Sequence, residues 1–450
     1  MSGAQPWSEQ QAEAYLHSLE LFGMRFGLDR MRRMMTVLGS PQQRYGRIQV
    51  LGTNGKTSTT RMTAAILERH GLRTATYTSP HLVSYRERLQ IAERDISSEQ
   101  FGRAVARAAW AAERVNRTLE GDDHVTQFEL LTAAALWEVA QSGAEVAVIE
   151  AGLGGRYDAT SVIDAELTVL TNVGLEHTRW LGPTVHDIAE EKLAVVQPRG
   201  TLVLGADLAP EARAVADRVA RERGARIVLA HEHEHGHAAG APALGAGGAF
   251  QRRNFALARA AAGLYLERAG IALDEDAVRE AAAHTTVSGR LQVVSEDPLT
   301  VLDGAHNPDA VRALVESLPE LVGERPLGLV LGVLEDKDAV GMLGPLLERC
   351  ERAWFTAPPS ERALSPAALQ SLARQLGFEA ADCDPRPAAA LEEARRWAAE
   401  RGGAVLATGS VYLVGDLLAA SGETVNGAMQ DLRERARAQD SHPRRRRALP

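Results

Sequence analysis

Gly52-Thr53-Asn54-Gly55-Lys56-Thr57-Ser58 is the stretch that decides the fold of this chain. An apolar run, Ile48 to Leu51, precedes it and reads as a buried strand. After it, Met62, Ala65 and Ile66 share one face of a helical pattern that stops at Gly71. Strand, glycine-rich turn and helix N-terminus thus come in sequence. Backbone N–H groups at such a turn point outward without partners, and the helix dipole favours negative charge there. Lys56 adds a full positive charge, and Thr57 or Ser58 offers a hydroxyl to a magnesium ion. This is the chemistry of a cradle for a nucleotide triphosphate. The loop is a shortened variant, because the full phosphate-loop pattern wants a glycine where Val50 stands.

Outward from this loop, strands alternate with helices. Residues 8 to 38 read as helical, interrupted at Gly27, and a second strand runs from Thr74 to Tyr77. Residues 98 to 118 form an Ala- and Arg-rich helix. Residues 122 to 129 are a polar break before an apolar helix that ends near Gln141. Further strands run from Glu145 to Glu150, Leu167 to Thr171 and Leu202 to Leu204. Thr184 caps a helix reaching Gln197, and residues 251 to 283 are helical. A second alternating set starts near Leu291, with strands at 299–302, 327–331, 352–356 and 403–407. The pattern predicts an α/β protein: a P-loop ATP-binding domain with a doubly wound, mostly parallel sheet over 1–290, and a smaller C-terminal α/β domain over 291–440. Residues 441–450 form a basic tail expected to be disordered. Ligands of such sheets sit at the carboxyl ends of the strands, where the polar and glycine-rich motifs all fall.

The 450 residues allow two or three domains, and 45% hydrophobic with 24% charged residues is the balance of a soluble globular protein. No apolar run is long enough to span a bilayer, and Met1 to Gln11 lacks the segments of a signal peptide. Two cysteines, Cys350 and Cys383, lie outside any metal-like spacing, so a reducing cytoplasm is the expected home. A net charge of −9 argues against nucleic-acid binding. The run Arg444 to Arg447 reads as a solvated tail, and the histidine-rich run His231 to His237 as a solvated loop rather than a metal site.

Several residues at strand ends carry chemistry. Ser79 follows a strand and offers a hydroxyl. Glu150 ends a strand of buried type, so its carboxylate is either at a site or paired. Gly152, Gly154 and Gly155 permit close approach of backbone to ligand, without the spacing of a dinucleotide loop. His177 follows its strand by a few residues. Hydroxyl, carboxylate and imidazole are able to share one or two magnesium ions, although imidazole is an atypical ligand for that metal. Lys192 taken alone reads as a surface lysine on a charged helix face. Asp303 follows a strand and suits ribose hydroxyls, Asn307 caps a helix with Pro308 in its first turn, and His306 and Arg290 are candidates to reach phosphates across an interdomain cleft.

Taken together, the motifs resemble the folylpolyglutamate synthase/dihydrofolate synthase family of the Mur ligase superfamily. The resemblance runs from about residue 20 to 418. It rests on GTNGKTS at 52–58, TSPHL at 78–82, FE at 128–129, EAGLGGRYDAT at 150–160, EHTRWLG at 176–182, EK at 191–192, SGR at 288–290, DGAHNP at 303–308, KD at 337–338 and TGSVYLVG at 408–415. It implies an ATP-binding central domain and a C-terminal domain that closes over the nucleotide. It implies that Asn54, Gly55, Lys56 and Thr57 hold the ATP phosphates, and that Ser79, Glu150 and His177 hold magnesium, with two ions expected. Lys192 matches a lysine that the family carboxylates on its side-chain nitrogen, which replaces the surface reading. Asn254, Arg290 and Asp303 match nucleotide contacts, with His306 nearby. Arg25, Phe26, Gly27 and Leu28, Thr126, Gln127, Phe128 and Glu129, and Tyr157, Asp158 and Ala159 correspond to the pterin-binding regions.

The activity implied is ATP-dependent amide formation: a substrate carboxylate becomes an acyl phosphate, and the amine of L-glutamate displaces phosphate. Lys56, Lys192 and His177 are the residues expected at the chemistry. The partners expected are ATP, L-glutamate and dihydropteroate or a reduced folate, acting on a monomer. The chain departs from the family pattern at Thr57, where many members have glycine, at Glu176, where many have Asp, and at Leu193-Ala194-Val195. Arg25 stands where dihydrofolate-forming members often carry an acid, which leaves the choice of pterin open. A different Mur-type ligase and a non-ligase nucleotide switch are the alternatives.

Overall fold

Strand β1 (Gly46–Leu51) lies inside an eight-stranded sheet in the computed structural model, which describes residues 7–19, 26–205, 207–230 and 243–421. The chain divides into two compact units, Met1–Val287 and Ser288–Pro450. The first sheet is built from β1, β2 (Thr74–Tyr77), β3 (Leu89–Ile91), β4 (Arg94–Asp95), β5 (Val146–Glu150), β6 (Leu167–Leu170), β7 (Thr201–Gly205) and β8 (Arg226–Ala230). Their order is β4-β3-β2-β5-β1-β6-β7-β8. From β2 to β8 every pairing is parallel, while β3 pairs antiparallel with both β2 and β4.

Alternation along β1 shows how sequence sets the layers. Ile48 and Val50 point into a core with the helices Lys56–Arg69 and Ala249–Ala269. Gln49 points to the other face, where its amide donates to the hydroxyls of Thr160 (3.2 Å) and Ser161 (3.3 Å). A second apolar core packs Ala147 and Ile149 of β5 with the helices Ser98–Asn116 and Gln127–Gln141. Local signals start these helices. Ser97 with Gln100, Thr126 with Glu129 and Thr184 with Asp187 each form a reciprocal capping box. Each such cap stabilises its helix by about 1 kcal/mol.

The structure moves some boundaries expected from sequence. The stretch 122–129 is not all a break: Thr126 is the cap, and Gln127, Phe128 and Glu129 form the first helical turn. The helix after Thr184 ends at Leu193 rather than Gln197. The pattern over 251–283 resolves into Ala249–Ala269 and Glu275–His284, separated at Gly270, whose left-handed conformation closes the first helix. The region 8–38 holds Glu9–Ser18 and Asp29–Leu38. Arg25, the histidine-rich run and the arginine tail lie outside the described residues.

The second unit carries a six-stranded sheet of β9 (Gln292–Glu296), β10 (Leu299–Leu302), β11 (Leu327–Leu331), β12 (Arg352–Phe355), β13 (Ala381–Cys383) and β14 (Ala404–Thr408), in the order β13-β12-β11-β14-β10-β9. It is parallel except for the edge pair β10–β9. Among the described residues no helix is long and apolar enough to cross a membrane.

Candidate active site

The connections leaving β1 and β6 run to opposite sides of the first sheet, which opens a crevice at their carboxyl ends. The glycine-rich loop fills one wall of it. The residues after β6 lock the loop: the Asn54 N–H donates to Asn172 Oδ1 (2.9 Å), the Thr53 N–H to the Asn172 carbonyl (3.1 Å), and the Thr171 hydroxyl to the Asn54 carbonyl (2.6 Å). The Gly174 N–H donates to the Thr53 hydroxyl at 3.0 Å. Sequence alone does not single out Thr171 and Asn172. The signal in the sequence is two polar residues directly after a fully buried strand.

Both loop glycines are required by space and conformation. Gly52 has φ +148, and a Cβ there would stand 1.8 Å from Thr171 Oγ1. Gly55 has φ +82, and a Cβ there would stand 2.3 Å from Asn254 Oδ1. Asn254 thus lies against the loop, held by its own donation to Gln251 Oε1 at 2.9 Å. Gly55 caps the helix Lys56–Arg69, so the helix N-terminus opens on the loop. Lys56 Nζ donates to the Thr53 carbonyl (3.0 Å), which folds the ammonium back across the loop.

Glu150, at the end of β5, is buried and gathers two neighbours. Its Oε2 accepts from the Thr57 hydroxyl (2.9 Å) and from the Ser79 N–H (3.3 Å). The Glu150 carboxylate and the Thr57 hydroxyl therefore meet beside the helix N-terminus, with the Ser79 backbone N–H turned to the same carboxylate. Among the described residues no group of three or more His, Cys, Asp or Glu side chains forms a metal cage. That donor set fits Mg2+, which is commonly held by one or two carboxylates, waters and substrate phosphates instead of an all-protein cage. His177 caps the short helix Thr178–Leu181 in a left-handed conformation (φ 53), with Nε2 3.9 Å from Glu176 Oε1.

Lys192 is not a surface residue: it is 5% exposed, and its Nζ donates to the Gly52 carbonyl at 2.8 Å. Burial, reinforced by the charge of Lys56, pulls its pKa down to about 7, against a smaller opposing pull from Glu176 and Asp158.

The loop after β5 carries a second group. Asp158 is buried, and burial raises its pKa. Its carboxylate accepts from the N–H groups of Leu153 (2.7 Å) and Thr160 (3.0 Å) and from the Thr160 hydroxyl. Gly152 leaves room for Phe128, because a Cβ there would stand 2.4 Å from Phe128 Cζ and 3.1 Å from Asp158 Oδ2. Ala159 is buried at the start of the following 3-10 turn. Glu129 is committed locally: it accepts from Arg30 Nε (3.0 Å), the Thr126 N–H (2.8 Å) and the Thr126 hydroxyl (3.0 Å). Gln127 Nε2 donates to the Leu16 carbonyl (3.1 Å) and Tyr85 Oη (3.3 Å). Gly27 (φ +126) and Leu28 lead into the helix Asp29–Leu38. Phe26 and Tyr157 are exposed, with ring centroids 6.2 Å apart.

In the second unit, Asp303 follows β10 and is buried. Its Oδ2 accepts from the Leu291 N–H (2.9 Å) and its Oδ1 from the Ala305 N–H (2.8 Å). Burial raises its pKa, and Arg290 opposes the rise. Arg290 Nη1 donates to the Gly289 carbonyl at 2.9 Å, and a Cβ on Gly304 would stand 2.4 Å from that nitrogen. His306 Nδ1 lies 2.8 Å from the Gly304 carbonyl, an acceptor, so Nδ1 carries the proton. Asn307 Oδ1 caps the helix Pro308–Val322 through the Ala310 N–H.

Comparison with known proteins places these groups in context. Residues 50–239 match the model of the Mur ligase middle domain, and residues 289–411 that of the Mur ligase glutamate ligase domain. The chain is 30% identical over 430 residues to the dihydrofolate synthase/folylpolyglutamate synthase of Bacillus subtilis, covering 91% of this chain and 98% of that one. It is 34% identical over 428 residues to a Haloferax volcanii protein named probable bifunctional folylpolyglutamate synthase/dihydropteroate synthase, but spans only 50% of that protein's length. Among solved structures, the Mycobacterium tuberculosis folylpolyglutamate synthase complexed with ADP superposes with a TM-score of 0.85 at 30% identity, covering 92% of this chain and 98% of that one. The bifunctional Yersinia pestis enzyme complexed with AMPPNP and a Mn ion gives a TM-score of 0.79 at 29% identity, over 94% of this chain and 100% of that one.

Proposed function

The chain belongs to the folylpolyglutamate synthase/dihydrofolate synthase family of the Mur ligase superfamily, and on that premise we propose that it joins L-glutamate to a pteroyl carboxylate in an ATP-driven reaction of folate metabolism. The acceptors are dihydropteroate, reduced folates or both. The observation that carries the reading is the loop 52–58, locked by Thr171, Asn172 and Asn254, opening a helix N-terminus beside the buried Glu150 carboxylate. The first unit takes the nucleotide-binding role, and the second is the glutamate ligase domain.

In this reading a carboxylate oxygen of the acceptor attacks the γ-phosphorus of ATP, the bond to ADP breaks, and an acyl phosphate forms. The amine of L-glutamate then attacks the acyl carbon, loses a proton, and inorganic phosphate leaves. Asn54, Gly55, Lys56 and Thr57 hold the phosphates, with Lys56 and the loop N–H groups opposing the charge on the transferring group. Ser79, Glu150 and His177 hold magnesium, which when bound neutralises phosphate charge and fixes its orientation. By the family resemblance, Asn254, Arg290, Asp303 and His306 are nucleotide contacts. Phe26, Gly27, Leu28, Thr126 to Glu129 and Tyr157 to Ala159 form the pterin region.

Lys192 acts as a carbamate. A buried amine with a pKa of about 7 is substantially uncharged at neutral pH. Its nitrogen attacks CO2, a proton leaves, and the resulting anion faces the loop that carries Lys56. The protein works as a monomer.

Phosphate release from ATP and magnesium tests the reading, with L-glutamate plus dihydropteroate or tetrahydrofolate, each component omitted in turn. Release requiring both glutamate and a pterin, with conjugate formed, is expected. Release indifferent to both would replace the ligase with a nucleotide switch.

A further inference from the structure

Glu87 is a buried carboxylate that the site described above does not use. Its two oxygens accept from three consecutive backbone N–H groups. Oε2 takes that of Leu82 (2.9 Å), and Oε1 those of Val83 (2.9 Å) and Ser84 (2.6 Å). A carboxylate suits this arrangement because it only accepts, whereas an amide would turn its NH2 towards at least one of these N–H groups. Hydrogen bonds to an ionised acceptor are about twice as strong as neutral ones.

The three N–H groups belong to the loop 78–88, which joins β2 to its antiparallel neighbour β3. The Thr78 N–H closes this loop on the Arg88 carbonyl at 2.8 Å, and Glu87 lies in its second half, in the 3-10 turn Tyr85–Arg88. The first half has little core to hold it: Pro80 and Val83 are exposed, and Ser79, His81, Leu82 and Ser84 are half-buried. It is fastened instead onto the second half. His81 rests on the Tyr85 ring, with centroids 4.3 Å apart, and its Nδ1 accepts from Arg88 Nε at 2.9 Å. The Glu87 carboxylate takes the next three residues. Ser79 stands at the start of this stretch, with its N–H on Glu150 Oε2 at 3.3 Å. That contact is long for a charge-assisted bond, so it does not by itself fix where the Ser79 hydroxyl points.

We infer that Glu87 is a positioning residue for the divalent cation. By fixing residues 82–84 it holds the turn before them, and with it the Ser79 hydroxyl, beside the Glu150 carboxylate. The inference rests on the metal assignment within the ligase reading, and it gives Glu87 no contact with metal or nucleotide.

The test uses Mn2+ as the probe, with AMPPNP present and free Mn2+ read by electron paramagnetic resonance, so no turnover is needed. Glu87→Ala is expected to weaken Mn2+ binding by about tenfold or more, with AMPPNP affinity in the absence of metal changed less than about twofold. Glu87→Gln, which keeps one accepting oxygen, is expected to recover part of the loss. Ser79→Ala removes the hydroxyl and keeps the backbone N–H. The double variant of Ser79→Ala and Glu87→Ala is expected to bind Mn2+ no more weakly than Ser79→Ala alone, because Glu87 acts through that hydroxyl. Should Glu87→Ala disturb folding, Glu87→Gln takes its place in the same cycle. Unchanged Mn2+ affinity in a folded Glu87 variant, or losses that add in the double variant, would overturn the inference and leave the ligase reading in place. A wild type that binds no Mn2+ with AMPPNP would remove the metal assignment and the inference with it. Phosphate release dependent on glutamate and a pterin decides the ligase reading separately.

Discussion

The buried Nζ of Lys192 donates to the carbonyl of Gly52 at 2.8 Å, so the helix Val185–Leu193 is tied to the first residue of the phosphate loop. The same burial that places the nitrogen there makes its charge unfavourable. One residue therefore links the stability of the protein to the carbamate chemistry proposed for it.

Lys192→Met is expected to lower turnover severely and to raise stability. The folded pKa is lowered to about 7 from the ordinary 10.5, so between those values the unfolded chain binds more protons. The penalty of burying the lysine is fully present below about pH 7 and fades as pH rises towards about 10.5. The gain in melting temperature from Lys192→Met, measured in CO2-free buffer, should thus be largest at pH 6 and shrink by pH 10. A gain that grows with pH would contradict the assignment. With labelled bicarbonate, the wild type should show a carbamate carbon resonance that the variant lacks.

Gly52→Ala should cripple nucleotide binding. The new Cβ would meet the Thr171 hydroxyl at 1.8 Å, in a conformation (φ +148) that favours glycine. Strain of this kind costs about 1–3 kcal/mol. Pairing it with Thr171→Ala removes the clash but not the backbone strain, so part of the loss in melting temperature should return. Full additivity of the two changes would show that the residues do not meet.

Glu150→Gln keeps an oxygen able to accept from the Thr57 hydroxyl and the Ser79 N–H, and removes the charge. Folding should be nearly unaffected. The magnesium concentration for half-maximal turnover should rise by about tenfold or more, since a carboxylate is the hard anionic donor Mg2+ prefers. A magnesium titration of turnover in parallel with a thermal melt separates the two effects.

Glu129→Ala should be destabilising out of proportion to its size. It leaves Arg30, only 6% exposed, without the more buried of its two carboxylate partners and removes half of the capping box with Thr126. Breaking a buried pair from one side costs about 3–5 kcal/mol. Asp123, 3.0 Å from Arg30 Nη1, retains part of the pairing. Chemical denaturation should show the loss, and Arg30→Met combined with Glu129→Ala should recover some of it.

Sequence by itself determined the local elements and the nature of the chemistry. The spacing from Ile48 through Gly71 specifies strand, turn and helix, because apolar periodicity and glycine act over a few residues. The strands at 299–302 and 327–331 are legible for the same reason. The ordered motifs specify the family, and with it the expectation that Lys56, Ser79, Glu150 and His177 serve a nucleotide and a metal. The short strands β3, β4 and β13 escaped that reading, since two or three residues carry no periodicity, and so did the half-exposed edge strands β8 and β9, which lack a buried apolar run.

Only the tertiary structure decided which groups meet. The order β5-β1-β6 brings Glu150 and Asn172 to either side of the same loop, although they are 22 residues apart in the chain and about 100 or more from the loop. Lys192 looks like a surface residue in its run of charged neighbours, and it is buried because its helix packs against the loop. The contact of Phe26 with Tyr157 and Trp180 has no trace in spacing. Burial, and the pKa of Lys192 that follows from it, are properties of packing between segments distant in sequence, so they exist only once the sheet has closed its layers.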